Sequence, residues 1–406
     1  MKKIIIVLMI MCSLFLIGCK NTNSPTDSLI LDESKDFKRL NNVKSLSNER
    51  KDENIDEEFI KSLYSFSNLT VKELYEESNM IYSPTSLYFA LAMLYEGTEG
   101  KAREELTSLM KVNNLRSNLQ SIYKNNYYSN NNGTNKIANS FWLNNNYEIE
   151  EEYGKILEEY YFAESYSTNF NTESLEKICK WINHQTGNLL EMKPSDLKLD
   201  KETVLALINT VYFNNKWKYE FKKENIKEGL FNNIDNVTYL NHVISSKYYR
   251  NEICEVTYDY YHNDNKIMYI LPRNSIKEVL DSNIFELINK GNTGKINLTV
   301  PKFDVKSSFD LIETLKNLGV NEIFNQNTKD IKSIKGTDVF VSTIKQDARI
   351  VLDEEGTKAA AVTIIGAKNE SVEPDITINF KLDRPFIYVI LDSKDVPLFI
   401  GTINKL

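Results

Sequence analysis

Residues 353–371 read DEEGTKAAAVTIIGAKNES, and this stretch limits the fold more than any other. A β-prone run, Arg349 to Leu352, leads into two acids, one glycine and a series of small side chains that includes Thr357, Ala359, Ala360 and Ala361. Val362 to Ile365 are strongly β-prone again, and Lys368 to Asp375 are polar. An exposed segment of Ala, Val, Thr and Ile without proline is a template for strand pairing, so a stable chain has to pair it, cover it or use it. Local physics leaves two readings open. One is an ordinary strand or an Ala-rich helical turn after Gly356. The other is a strand held outside its sheet. In that case Thr357, Ala359, Ala361 and Thr363 share one face at the two-residue period, and all four are small enough to pass between existing strands.

The surrounding chain reads as one α+β domain, residues 56–406. Phe59, Leu63 and Phe66 recur at helical spacing, and Leu87, Leu91 and Leu94 do so again. Thr203 to Phe213, Ile267 to Leu271, Ile296 to Val305, Asp338 to Leu352 and Phe386 to Leu391 alternate or run β-branched, the pattern of strands. Helices crowd the first half and strands the second, with no repeat and no Pro/Gly-rich linker between them. At 406 residues and 41% hydrophobic side chains the chain can bury a large core. Its 49 basic and 57 acidic residues leave a formal charge of −8, which argues against nucleic acid as the main partner. No basic stripe suggests a polyanion activator.

Lys2 and Lys3 precede an apolar run, Ile4 to Ile17, that is short for the roughly 20 residues of a membrane-spanning helix and suited to an export signal. The run ends Leu16-Ile17-Gly18-Cys19, which resembles the bacterial lipoprotein box. That resemblance implies removal of residues 1–18, lipidation of Cys19 and a place on the extracellular face of the cell membrane, with release outside the cell also open. Plain secretion is the alternative. Residues 19–55 are rich in Asn, Ser, Asp, Glu and Lys, with Phe37 as their only aromatic. They read as a flexible tether with an r.m.s. span of about 30–35 Å. Cys179 and Cys254 are expected as buried free thiols, since one possible bridge makes no disulfide framework.

Catalytic motifs are scarce. The sequence has no G-x-S-x-G nucleophile elbow, no H-E-x-x-H, no C-x-x-C and no complete phosphate loop; Gly291 to Lys295 reads as a turn before a strand at Ile296. His184, His242 and His262 are the only histidines and read as surface or satisfied side chains. Glu354-Glu355 has no sugar-binding aromatic platform beside it in the sequence. An enzyme is not expected, and neither is a cofactor.

Many short motifs, in order from about Glu57 to Leu406, resemble the serpin family. Asn79-Met80-Ile81-Tyr82-Ser83-Pro84-Thr85-Ser86, followed by Ala90 to Leu94 and Gly97, resembles its helix start. Ile182-Asn183-His184-Gln185-Thr186-Gly187 and Asn209-Thr210-Val211-Tyr212-Phe213-Asn214-Asn215-Lys216-Trp217 resemble two further family segments. Val300-Pro301-Lys302-Phe303, Leu315 to Ile323, Arg384-Pro385-Phe386 and Pro397 to Gly401 complete the series. The resemblance implies a single domain with three β-sheets, about nine helices and an exposed reactive loop near residues 356–378. It also implies a monomeric suicide-substrate inhibitor. In that mechanism a target endopeptidase attacks the loop, and the cleaved loop inserts into the central sheet while the enzyme is still covalently attached.

Inhibitory members need a hinge that passes into the sheet, here Glu354, Glu355, Gly356, Thr357, Ala359, Ala360, Ala361 and Thr363. No bulky or charged residue falls on the inward face through Thr363; Lys358 and Val362 would point outward. Family spacing from Glu354 implies Glu370-Ser371 as the scissile bond, a bait for a protease with a basic pocket. Lys368-Asn369 is the alternative. By the same resemblance Ser83, Ser86 and Asn209 form a polar cluster below the opening of the sheet, with Gln346 where the family usually has histidine. Lys302 and Glu354 pair at the top of the sheet beside Trp217. A non-inhibitory binding protein, a loop that is cut without trapping, and an inhibitor of cysteine proteases remain open as alternatives.

Overall fold

The computed structural model describes residues 29–44, 46–336, 339–357 and 377–406. Among them are nine α-helices: α1 (Glu57–Leu74), α2 (Pro84–Glu96), α3 (Gly100–Met110), α4 (Leu115–Asn125), α5 (Glu151–Tyr161), α6 (Thr172–Gln185), α7 (Pro194–Leu197), α8 (Ile276–Asp281) and α9 (Ile312–Asn317). The first two begin where the apolar spacing places them. Ser83 caps α2 by accepting the Ser86 amide, and Pro84 stands at the first helical position, where its missing N–H has no intrahelical role.

The strands form three sheets among the described residues. The central one contains β1 (Phe37–Arg39), β3 (Tyr128–Asn130), β4 (Gly133–Asn144), β6 (Ala163–Thr168), β7 (Leu205–Lys216), β13 (Phe303–Asp310), β15 (Lys345–Leu352) and β16 (Gly356–Thr357). Its order is β1-β6-β4-β7-β16-β15-β13, with β3 paired to β4. The second sheet holds β2 (Met80–Tyr82), β8 (Lys227–Phe231), β9 (Asp235–Arg250), β10 (Cys254–Tyr260), β11 (Lys266–Pro272), β12 (Asn292–Pro301), β17 (Thr377–Lys381), β18 (Phe386–Leu391) and β19 (Pro397–Ile403). A two-stranded sheet pairs β5 (Glu148–Ile149) with β14 (Ile334–Lys335). The α+β class, the three sheets and the nine helices agree with expectation.

Alternation along β4 explains the layering. Ile137, Phe141 and Leu143 face the main core, shared with α1, α2 and the second sheet. Ala138 and Trp142 face the other way, into a smaller cluster with Ile178, Trp181 and Ile182 of α6. The central sheet is thus covered on both faces.

Three boundaries differ from expectation. The run Ile296–Val305 is broken at Lys302 into β12 and β13, and β12 already begins at Asn292. Within Asp338–Leu352, the strand starts only at Lys345. The tether reading fails for the described part of residues 19–55. Phe37 is buried against Trp142 and Tyr166, and β1 pairs antiparallel with β6. Lys177 caps this contact, with its ammonium 4.4 Å from the Phe37 ring centre and donating to the Asp32 carbonyl at 2.6 Å. Arg50–Asp264 and Lys394–Asp52 ion pairs, each 2.9 Å, fasten the segment further along. One aromatic in a polar stretch suffices when the folded body supplies the rest of its pocket. Cys179 and Cys254 are both free and buried, and burial pushes each thiol up to about 11.

Candidate functional site

The hinge begins where β15 ends. Leu352 is buried, and the next three residues turn the chain back: Asp353 Oδ1 accepts the amides of Glu355 (2.9 Å) and Gly356 (3.2 Å). The returning residues, Gly356 and Thr357, lie between β7 and β15. Gly356 stands opposite Lys216, and Thr357 stands opposite both Asn215 and Leu352. Only glycine fits at the first position, because an added Cβ would sit 2.2 Å from the Asn215 carbonyl oxygen.

Below these two residues the described strands are not laced together. No ladder joins β7 to β15 among the described residues; an isolated bridge links Ala206 of β7 to Thr343, two residues ahead of β15. Near that lower end a small cavity of about 30 Å³ is lined by Ile182, Leu197, Ile208 and Lys345, among others. On the other side of β7 the pairing is unbroken, running from Gly133–Asn215 to Leu143–Leu205.

Five side chains hold the top of the opening. The fully buried Trp217 donates its indole N–H to the Asp353 carbonyl (2.8 Å) and its backbone N–H to the Glu355 carbonyl (3.2 Å). Its ring stacks on Tyr261 at 4.4 Å. Lys302 and Glu354 form an ion pair of 2.5 Å with side chains about one-third exposed, and the Lys302 hydrogen bond holds the Glu354 carboxyl below its ordinary value. The Tyr261 hydroxyl and Thr357 Oγ1 share a hydrogen bond of 2.7 Å, with both residues buried. Sequence reasoning identified Lys302, Glu354, Glu355, Gly356, Thr357 and Trp217. It missed Tyr261, which nothing in the sequence distinguishes among 23 tyrosines.

Midway down, Gln346 brackets the backbone of one residue, Ser83. Its Oε1 accepts the Ser83 amide at 2.7 Å, and its Nε2 donates to the Ser83 carbonyl at 2.9 Å. Ser83 Oγ in turn accepts the Ser86 amide at 3.2 Å. Ser83, Ser86 and Gln346 therefore meet. Asn209 does not join them through any hydrogen bond seen here. Its side chain donates instead to Asn139 Oδ1, and Asn139 donates to the Tyr161 carbonyl at 2.6 Å. The reason is the opening itself: Asn209 belongs to β7 and is drawn toward β4, while Gln346 belongs to β15 across the gap. Cys19, Ala359, Ala360, Ala361, Thr363, Lys368, Asn369, Glu370 and Ser371 lie outside the described residues.

Comparison with known proteins is concordant. Residues 61–406 match the family model Serpin, described as serine protease inhibitor. An uncharacterised serpin-like protein of Acanthamoeba polyphaga mimivirus is 29% identical, covering 83% of this chain and 86% of its own length. Neuroserpin of Mus musculus is 28% identical, covering 81% of this chain and 86% of its own. Among solved structures, the thermophilic serpin Tengpin in the native state superposes with a TM-score of 0.78 at 26% identity, covering 89% of this chain and 97% of that one.

Proposed function

Because this chain belongs to the serpin family, we propose that it inhibits endopeptidases, serine-type above all, as a suicide substrate. The target's nucleophile attacks the carbonyl of Glu370, the peptide bond to Ser371 breaks, and the freed amine leaves with a proton from the enzyme's own acid. The protease remains esterified to Glu370. Hydrolysis of that ester would release it, so inhibition depends on the loop inserting first.

The observation that supports this reading is that Gly356 and Thr357 already lie between β7 and β15, above a stretch where no ladder joins the described residues of the two strands. Continuing the same register sets Ala359 between Phe213 and Ile350, Ala361 between Val211 and Ala348, and Thr363 between Asn209 and Gln346. Each small residue would then meet the core-facing side of the sheet, and Thr363 would reach the two polar groups on either side. Insertion of about 15 residues, each adding ladder bonds with a net worth of roughly 0.5–1.5 kcal/mol, would release on the order of 10–20 kcal/mol. The intact fold is then metastable.

The test is to incubate the purified domain with Glu-specific, Lys-specific and cysteine proteases and run denaturing gels. A covalent band that survives SDS is expected with one of the serine enzymes, with Glu370-Ser371 cut. Cleavage at Lys368-Asn369 would move the bait two residues upstream. Trapping of only a cysteine protease would change the target class. Cleavage without a complex would make the loop a mere substrate, and no cleavage would favour a binding protein.

We further propose lipidation at Cys19 and residence on the outer face of the cell membrane. Labelling with a radioactive fatty acid should mark the wild type and spare Cys19→Ala. Label retained by the variant would overturn it.

A further inference from the structure

Thr357 is the last described residue before the loop, and its side chain is anchored in the protein interior. Its partner Tyr261 is itself fixed on two sides. The ring stacks on Trp217 at 4.4 Å and meets Phe213 edge-on at 5.0 Å. Trp217 is clamped in turn by the carbonyls of Asp353 and Glu355, the residues of the hinge turn. The phenol therefore has little freedom, and its hydroxyl marks a set point at the mouth of the gap. Withdrawing Thr357 would leave a hydroxyl in a fully buried site without its partner, which opposes withdrawal.

We propose that Tyr261 is a positioning residue for loop insertion: its hydroxyl holds Thr357 two residues deep between β7 and β15, so the inserted strand is begun before any bond is cut. The inference rests on the inhibitory reading above. Starting a strand between two others costs conformational entropy before ladder bonds return it. With the first rungs formed in advance, only elongation has to outrun hydrolysis of the acyl-enzyme. Without them, the starting cost falls inside that race, and more enzyme escapes.

Three variants separate seating from packing. Tyr261→Phe removes the hydroxyl and keeps both ring contacts. Thr357→Val removes the other hydroxyl at nearly constant shape, and Thr357→Ser keeps it. Hydrogen exchange at the Thr357 and Trp217 amides should quicken roughly fivefold in Tyr261→Phe and in Thr357→Val. The double variant should be no faster, and Thr357→Ser should resemble the wild type. With a protease that the wild type traps, the share of loop cut without trapping should rise about two- to tenfold in Tyr261→Phe, at an unchanged rate of first attack. Unaltered exchange, or effects that add independently in the double variant, would overturn the seat. Faster exchange with unaltered partitioning would overturn its role in insertion. A wild type that traps nothing removes the inhibitory reading instead, and exchange alone then decides whether Tyr261 seats the hinge.

Discussion

The two flanks of β7 are built to opposite ends. Toward β4 it is laced at eleven successive positions, with amide side chains such as Asn139 and Asn209 bonded across the pair. Toward β15 it pairs, among the described residues, with two hinge residues and has one isolated bridge at the far end. Both flanks draw on the same strand, so intrinsic β-propensity cannot explain the difference. What differs is the neighbour. Gly133 to Asn144 is delivered to β7 as a strand beside it, whereas on the other side only Gly356 and Thr357 pair with it among the described residues.

The largest expected effect tests whether the open flank stores energy. Cutting the loop should raise the melting temperature by roughly 20 °C or more, since a reservoir on the order of 10–20 kcal/mol is then released. A nicked chain that melts with the intact one would make the two flanks energetically equal. Next comes Thr357→Arg, which places a guanidinium at a buried position opposite Asn215 and Leu352. An unpaired buried charge is worth several kcal/mol, so covalent complex should fall about a hundredfold while cleavage of the loop persists. Trapping at the wild-type level would mean the gap is not the insertion path.

Gln346→Ala removes both bonds to the Ser83 backbone and should cost the intact protein about 2–4 kcal/mol; calorimetry of the uncut chain reads this directly. The smallest effect is at the rim. Glu354 has its folded pKa depressed by Lys302, so the pair stabilises above the unfolded carboxylate value near 4.3 and that gain is lost as pH falls through the folded value. Being partly exposed, it should be worth about 0.5–1 kcal/mol, seen as a shallower loss of wild-type advantage over Glu354→Gln between pH 6 and pH 3. An advantage that grows as pH falls would reverse the assigned sign.

The elements with strong periodicity were legible. Leu87, Leu91 and Leu94 mark α2 because helical spacing is a local property, and the order of short motifs carried the family and its three sheets. Of the hinge positions read from alternating small residues, Gly356 and Thr357 are described, and they lie between β7 and β15. Contacts assembled from distant segments were not. Phe37 looked isolated because its pocket comes from Trp142, Tyr166 and Lys177, more than a hundred residues away. Tyr261 acquires meaning only from the fold that brings it to Thr357. Asn209 was assigned to the right region and the wrong partner, because whether a sheet is closed or parted between two strands is not written in either strand.

The docking of β1 onto β6 also bears on how the molecule meets a lipid surface. With Leu29 packed on the smaller core cluster of the body, only residues 20–28 separate it from Cys19, and nine residues reach at most about 30 Å when fully drawn out. An acylated Cys19 would therefore keep the body leashed close to the headgroups by its β1 edge, rather than let it roam at arm's length.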